Sequence, residues 1–215
     1  LGMALGTWLV IGALVEIGER TQLLRIPLRD TLRRGRSLPR SAWGGAIAHA
    51  GMGVAILGMT GTLSWEIEKL QIMRPGERIG IAGYELEFRG VEPIRGPNYE
   101  AARGTFHVYL NEELVEIMQP ESRRFTDPPM VTTEAAIRPR NFGDLYAVVG
   151  DSNGDGGFAT RIYYKPMINW LWIGSLMMAA GGLVSLTDRR LRVGAPRRSA
   201  VSAKTKGRPQ QEAMT

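Results

Sequence analysis

The 215-residue chain carries two histidines, ten methionines and no cysteine, so metal or proton chemistry must rest on groups other than thiols. The missing thiols exclude disulfides, a cysteine-based zinc site, an iron–sulfur cluster and a thiol nucleophile. Of the two imidazoles, His49 is the more informative. It lies at the seventh position of WGGAIAHAGMGVAILGMTGTLSW, residues 43–65, a stretch without a single charge. An ionisable group in hydrocarbon is costly unless it faces a protein interior with a partner, so a functional role is the default expectation. Gly45 stands one helical turn before it and Gly53 one turn after, which predicts a face stripped of side chains around His49. Two readings of that face stay open. Small residues allow a second helix to approach closely, with the imidazole hydrogen-bonded to it; or the cleared face accommodates a flat macrocycle whose iron His49 ligates.

Other candidates are weaker. Met52, Met59, Met167, Met177 and Met178 offer soft axial ligands, although core packing and lipid contact explain them more cheaply. His107 falls on the polar face of an alternating segment beside Thr105 and Tyr109, as a solvated or barrel-interior imidazole does. Asp151-Ser152-Asn153-Gly154-Asp155-Gly156 matches the first half of a calcium loop, but the twelfth position is Ile162 instead of a closing acid, so an ordinary turn is expected. Glu112 and Glu113 lack the convergence that an acid/base pair needs.

The elements that must hold these residues follow from charge and alternation. No charged residue occurs from Leu1 to Val15, from Ser41 to Trp65, or from Pro166 to Thr187. The last two runs reach the roughly 20 residues needed to cross about 30 Å of hydrocarbon, which excludes a purely soluble class. Glu16 to Ala42 holds seven arginines against three acids, and Asp188 to Thr215 eight basic residues against two acids; Trp65 to Lys165 holds 12 basic and 16 acidic residues. An excess of Lys and Arg marks the cytoplasmic flanks of spanning helices. The expected layout is a transmembrane helix over 1–17 with its N-terminus outside, a basic cytoplasmic loop over 18–41 and a second transmembrane helix over 42–64. An outside domain over 65–165, a third transmembrane helix over 166–187 and a basic, mostly disordered cytoplasmic tail over 188–215 follow. Trp43, Trp65, Trp170 and Trp172 sit at interfacial heights, while Trp8 lies mid-span and calls for a helix neighbour or polar partner. Starting at Leu1 with no outside flank, the chain reads as the C-terminal piece of a longer membrane protein or one product of a split gene. Its basic segments suit anionic lipid and, lacking interleaved aromatics, exclude nucleic acid.

Within 65–165 the pattern is alternation at period two. Tyr84-Glu85-Leu86-Glu87-Phe88-Arg89 puts Tyr, Leu and Phe on one face, Thr105 to Leu110 alternates likewise, and Leu114 to Met118 does so more weakly. Asn111-Glu112-Glu113 reads as a hairpin tip. With runs at 131–137, 144–150 and 158–164, the expectation is a small antiparallel β-barrel or sandwich of about six or seven short strands, inserted between helices two and three.

Four stretches together resemble the CcmF family, the membrane haem-lyase component of bacterial cytochrome c maturation. They are AHAGMGVAILG (48–58), MQPESRRF (118–125), TTEAAI (132–137) with DLYAVVGD (144–151), and NWLWIGSLMMAAGGLVSLTDRRLR (169–192), and the likeness extends over residues 20–192. The resemblance implies that His49 is an axial ligand to the iron of haem b, with Gly45 and Gly53 giving it room. It also implies that this haem keeps the substrate haem reduced while vinyl groups are joined to the thiols of a CxxCH motif in apocytochrome c. Further implications are the bacterial cytoplasmic (inner) membrane, a periplasmic β-domain, and partners comprising the haem chaperone CcmE, a thiol-handling CcmH-type subunit and apocytochrome c. Arg123, Arg124, Arg138 and Arg140, in or beside those stretches, become candidates for haem-propionate or partner contacts, Arg123 and Arg124 first, since arginine binds carboxylates bidentately. The family's tryptophan-rich motif, outside histidine pair and other membrane histidine have no counterpart in this sequence. The expectation is therefore of part of a thioether-forming complex, completed by an N-terminal remainder or separate subunit, with no catalytic residue assigned. Two other classes stay in view: a docking scaffold in which His49 only packs a helix, and part of a haem transporter, disfavoured because no acidic residue accompanies His49 within the spans.

Overall fold

Glycine spacing decides how the apolar runs of this chain pack. The computed structural model describes residues 1–140 and 142–188; Asn141 and the basic tail from Arg189, expected to be disordered, lie outside the described residues. Helix α1 spans Gly2–Thr21, a short α2 Leu28–Ser37 and α3 Arg40–Trp65; after a β-domain comes α4, Ile168–Leu186. Of these, α1, α3 and α4 are long and apolar enough to cross a membrane. Along α3, Gly44, Gly51 and Gly58 recur every seven residues, close to two helical turns, and face α4. A Cβ on Gly44 would stand 2.5 Å from Gly181 O, one on Gly51 2.7 Å from Gly174 O, and one on Gly58 2.5 Å from Leu171 N. That order of partners makes the two helices antiparallel. Lipid removes the hydrophobic drive between helices, so such backbone approach is what holds them together. Helix α1 takes a second face of α3, also antiparallel: Gly6 lies against Gly53 and Leu57, and Gly53 against Gly6 and Val10.

Polar ties fasten both ends of α3. Its N-terminus has no side-chain cap of its own, yet Ser41 N donates to Asp188 Oδ2 at 3.0 Å, so the carboxylate after α4 meets the positive end of α3. At the other end Thr62 Oγ1 donates to Pro166 O at 2.8 Å. The segment 18–41 is more ordered than the expected loop. Pro27 opens α2, whose Gly35 O accepts from Trp43 Nε1 at 3.0 Å; the run is short and rich in arginine, which masks its helical period.

Between α3 and α4 lie ten strands, more than the alternation predicts: β1 (Ile67–Met73), β2 (Arg78–Ile81), β3 (Tyr84–Arg95), β4 (Tyr99–Leu110), β5 (Glu113–Met118), β6 (Glu121–Thr126), β7 (Pro129–Glu134), β8 (Ala136–Arg138), β9 (Gly143–Ser152) and β10 (Phe158–Pro166). They form two antiparallel sheets, β1-β10-β9-β8 and β2-β3-β4-β6-β7, with β5 also on β4. The run 131–137 divides between the sheets, β7 in one and β8 in the other. Strand β4 pairs with β6 over its first half and β5 over its second; buried Pro120 marks the break, because proline has no N–H to continue the ladder. Leu86, Phe88, Phe106, Val108, Leu145 and Ile162 fill the space between the sheets, with Phe88 and Phe106 centroids 5.0 Å apart. The hairpin tip is the two residues Asn111 and Glu112, at φ 52° and 66°, as a primed turn requires. Asn169 Nδ2 donates to Arg140 O and to Asp144 Oδ1, and Met167 N to Phe142 O, so the base of the domain is tied to α4.

Candidate functional site

His49 sits nine residues into α3, about 14 Å from its basic end and about 24 Å from its β-domain end at 1.5 Å per residue. At 100° per residue its side chain lies about 160° around the helix from Gly51, well away from the α4 seam. The imidazole is exposed and has no hydrogen-bond or ion-pair partner among the described residues. The same face carries Gly45, where a Cβ would meet nothing within 4 Å, then Met52, Met59 and Leu63, all exposed. Two of the three sides of α3 are thus used by α1 and α4, and the third presents one imidazole among apolar groups.

Gly53 departs from the expectation. It does not clear the His49 face, because α1 already fills the space before it: a Cβ there would lie 2.7 Å from Gly6 O and 2.8 Å from Val10 Cγ2. A four-residue spacing seen in one dimension selects Gly45 and Gly53 together, whereas the helix rotates Gly53 toward α1. Of the methionines, Met167 and Met177 pack against Gly61 and Gly51, leaving Met52 and Met59 on the histidine face. Trp8 remains 68% exposed, uncovered by any described helix.

In the β-domain, Arg123 and Arg124 do not form one site, because adjacent strand residues point to opposite faces. Arg123 Nε donates to Glu121 Oε2 at 2.8 Å, its Nη1 lies 3.7 Å from Glu134, and its guanidinium stacks on Tyr99 at 4.8 Å. Arg103 holds the other Glu121 oxygen at 2.8 Å. Burial alone would raise the Glu121 carboxyl, but hydrogen bonds and charge from Arg123 and Arg103 outweigh it and hold the group below the usual carboxylate range. Arg124 makes no ion pair among the described residues and lines a cavity of about 700 Å³ with Arg95, Glu100, Asp151, Val131 and Phe158. Glu87 is similarly engaged: a hydrogen bond from Arg89, with further support from Tyr109 and Arg78, lowers its carboxyl despite desolvation.

His107 is half-buried on β4, opposite Glu87 and Ile117, far from His49. Asn153 Oδ1 accepts from Asp155 N and Gly157 N, both at 3.0 Å, so the 151–157 segment is held as a turn by its own asparagine. Among the described residues no cluster of three His, Asp or Glu side chains could hold a metal ion. Arg138, among the arginines the sequence offers, is buried, which the sequence does not display. It is only 7% exposed, stacks on Tyr84 at 5.7 Å, and its Nη1 is buried without a hydrogen-bond partner.

Three apolar helices enclosing an inserted two-sheet sandwich define a multi-pass membrane protein with one extramembranous β-domain. Residues 64–166 match the family described as CcmF C-terminal beta-sandwich. The chain is 43% identical over 197 residues to the cytochrome c-type biogenesis protein CycK of Bradyrhizobium diazoefficiens, covering 92% of this chain and 30% of that protein. It is 34% identical over 189 residues to CcmF of Pseudomonas fluorescens, covering 88% of this chain and 28% of that one. A solved structure of cytochrome c haem lyase CcmF superposes with a TM-score of 0.61 over 82% of this chain and 34% of the other, at 15% identity, a likeness of fold. The chain belongs to the CcmF family of cytochrome c-type biogenesis proteins, and it spans about three tenths of the length of the curated relatives it matches.

Proposed function

We propose that this chain forms the C-terminal part of a haem lyase of cytochrome c maturation and contributes His49 as one axial ligand to a b-type haem. The observation that carries this reading is the open, unpartnered imidazole on the third face of α3, with Gly45 clear beside it. A helix-packing role for His49 is disfavoured within this chain, because both close seams of α3 lie elsewhere. The donor set fits one side of a macrocycle: a single imidazole, apolar neighbours at Met52 and Met59, and room at Gly45; Gly53 is not part of it. Bound there, haem would supply a one-electron couple that keeps substrate iron ferrous. His49 presents a nitrogen lone pair, the apolar face excludes water, and the α1 and α4 seams hold the ligand in place. The opposite ligand would come from the N-terminal remainder of the protein or a separate subunit.

The reading places the chain in the bacterial cytoplasmic (inner) membrane with the basic flanks inside and the β-domain in the periplasm. There the domain would dock apocytochrome c, CcmE or a CcmH-type subunit, with Arg124 at the outer cavity as the candidate contact for a propionate or partner carboxylate. Pyridine haemochrome spectra of the full-length protein, wild type against His49→Ala, test the central assignment. A b-type spectrum lost in the variant and partly regained with added imidazole supports it. Equal haem in both proteins would reduce this part of the chain to a docking scaffold.

A further inference from the structure

The opposite end of the helix bundle from the β-domain holds a second cavity, of about 510 Å³, where α1, α2 and α3 meet. Ile17, Leu23, Leu32 and Leu38 make its apolar wall, and Arg36 and Arg40 stand at it. The sequence builds this slot from an amphipathic α2: at 100° per residue Leu28, Leu32 and Gly35 share one side, while Arg29, Arg33 and Arg36 share another. Gly35 faces Thr21 and Trp43, Thr31 is buried, and the Trp43 indole bond to Gly35 fastens α2 to α3. Leu28, beside the slot, and Leu32, in its wall, are both exposed. No ion pair is formed among the described residues by Arg25, Arg29, Arg33, Arg34, Arg36 or Arg40; of this segment's arginines only Arg20 is paired, with Glu16.

We propose that this slot seats one anionic phospholipid, its acyl chain along the leucine wall and its phosphate between Arg36 and Arg40. Charge complementarity singles out this occupant. An apolar cleft that opens at an interfacial tryptophan and is capped by unpaired guanidinium groups joins the two chemistries of a phospholipid. Arginine meets phosphate through paired N–H donors, which a diffuse attraction to a charged surface does not use. Site and orientation rest on the reading of α1 and α3 as membrane spans, and not on haem ligation by His49.

The test uses the full-length protein in nanodiscs of phosphatidylcholine with and without phosphatidylglycerol, with retained lipid counted by native mass spectrometry. Wild type is compared with Arg36→Gln/Arg40→Gln and with Arg29→Gln/Arg33→Gln, a pair on the same helix outside the slot. The expected result is one tightly retained phosphatidylglycerol in wild type and in the outer pair. Retention falls roughly 100-fold in the slot pair, two arginines losing charge-assisted hydrogen bonds at about 1.5 kcal/mol each, with 1.4 kcal/mol per tenfold. Equal losses in both pairs would mean a diffuse basic surface and overturn the site. No preference of wild type for phosphatidylglycerol over phosphatidylcholine overturns it also, even if the slot pair fails to fold. Cross-links from a photoreactive amino acid placed at Leu32 to another segment of the same protein, showing the cleft filled by protein, overturn it as well. Haem content, unaffected in the slot pair, keeps this outcome separate from that of His49→Ala.

Discussion

Replacing Gly174 by alanine, beside Gly182 by alanine, isolates the energy of the α3–α4 seam. Both positions are glycines inside α4, so the helix-propensity gain of about 0.5–1 kcal/mol cancels between the variants. What differs is the space each new methyl meets. At Gly182 nothing lies within 4 Å, whereas at Gly174 the Cβ would press hardest on Ala55 N and fall 2.5 Å from Gly51 O and 2.8 Å from Ala55 Cα, all backbone atoms of α3. Ordinary contact begins at 3.4 Å, so the helices must part locally by about 1 Å. Overpacking of this kind costs about 1–3 kcal/mol. Thermal unfolding of the full-length protein in nanodiscs, followed by near-ultraviolet circular dichroism, should place Gly174→Ala roughly 1–4 °C below Gly182→Ala, the shift per kcal/mol shrinking with the length of the whole protein. Coincident melting of the two variants would refute the close seam.

Three further outcomes concern the β-domain. Glu121 has its carboxyl lowered on folding, so its contribution is present above the unfolded value near 4.5 and is lost as pH falls through the lower folded value; Glu121→Gln should flatten that acid limb of stability and cost about 1.5–3 kcal/mol at neutral pH, read by urea melts. Arg138→Met should leave the domain as stable or more so, because it removes a guanidinium nitrogen buried without a partner; a loss above about 2 kcal/mol would reveal a partner for that nitrogen. Arg123→Ala should lower the melting temperature through its ties to Glu121, Glu134 and Tyr99, while Arg124→Glu leaves it unchanged and lowers cytochrome c yield; unchanged yield with Arg124→Glu removes the outer cavity from the proposed function.

Legibility in the sequence followed the periodicity of each segment. Charge-free runs disclosed the three long helices, and Leu86, Phe88, Phe106 and Val108 lie in the core on the faces that alternation assigns. Strands β1 and β2 escaped because IEKLQIM lacks clean alternation and RIGI is four residues long. Helix α2 escaped because four arginines within ten residues mask its apolar side. Around His49, chemistry was legible and geometry was not. A histidine in an uncharged run advertises itself, but glycines at four-residue intervals and glycines at seven-residue intervals are interleaved along α3. Only the positions of α1 and α4 decide that Gly44, Gly51 and Gly58 form a seam, that Gly53 belongs to α1, and that Gly45 alone stays open. The two arginines MQPESRRF presents side by side were separated by the alternation of the strand that carries them.

The two seams explain why an imidazole can be left unpartnered in this bundle. Glycine at three heptad positions and at Gly53 commits two sides of α3 to backbone contact, which a rotation or slide of the helix would break at several points together. Asp188 at the α3 N-terminus and Thr62 near its far end oppose the same displacement from either side of the membrane. His49 is therefore carried on a helix fixed in azimuth and height, with its free face determined by packing it does not itself join. That arrangement suits a ligand whose partner arrives from outside the chain: the height and azimuth of the His49 backbone are set before the partner is present, and only side-chain rotamer freedom remains to be lost when a bond to the imidazole forms.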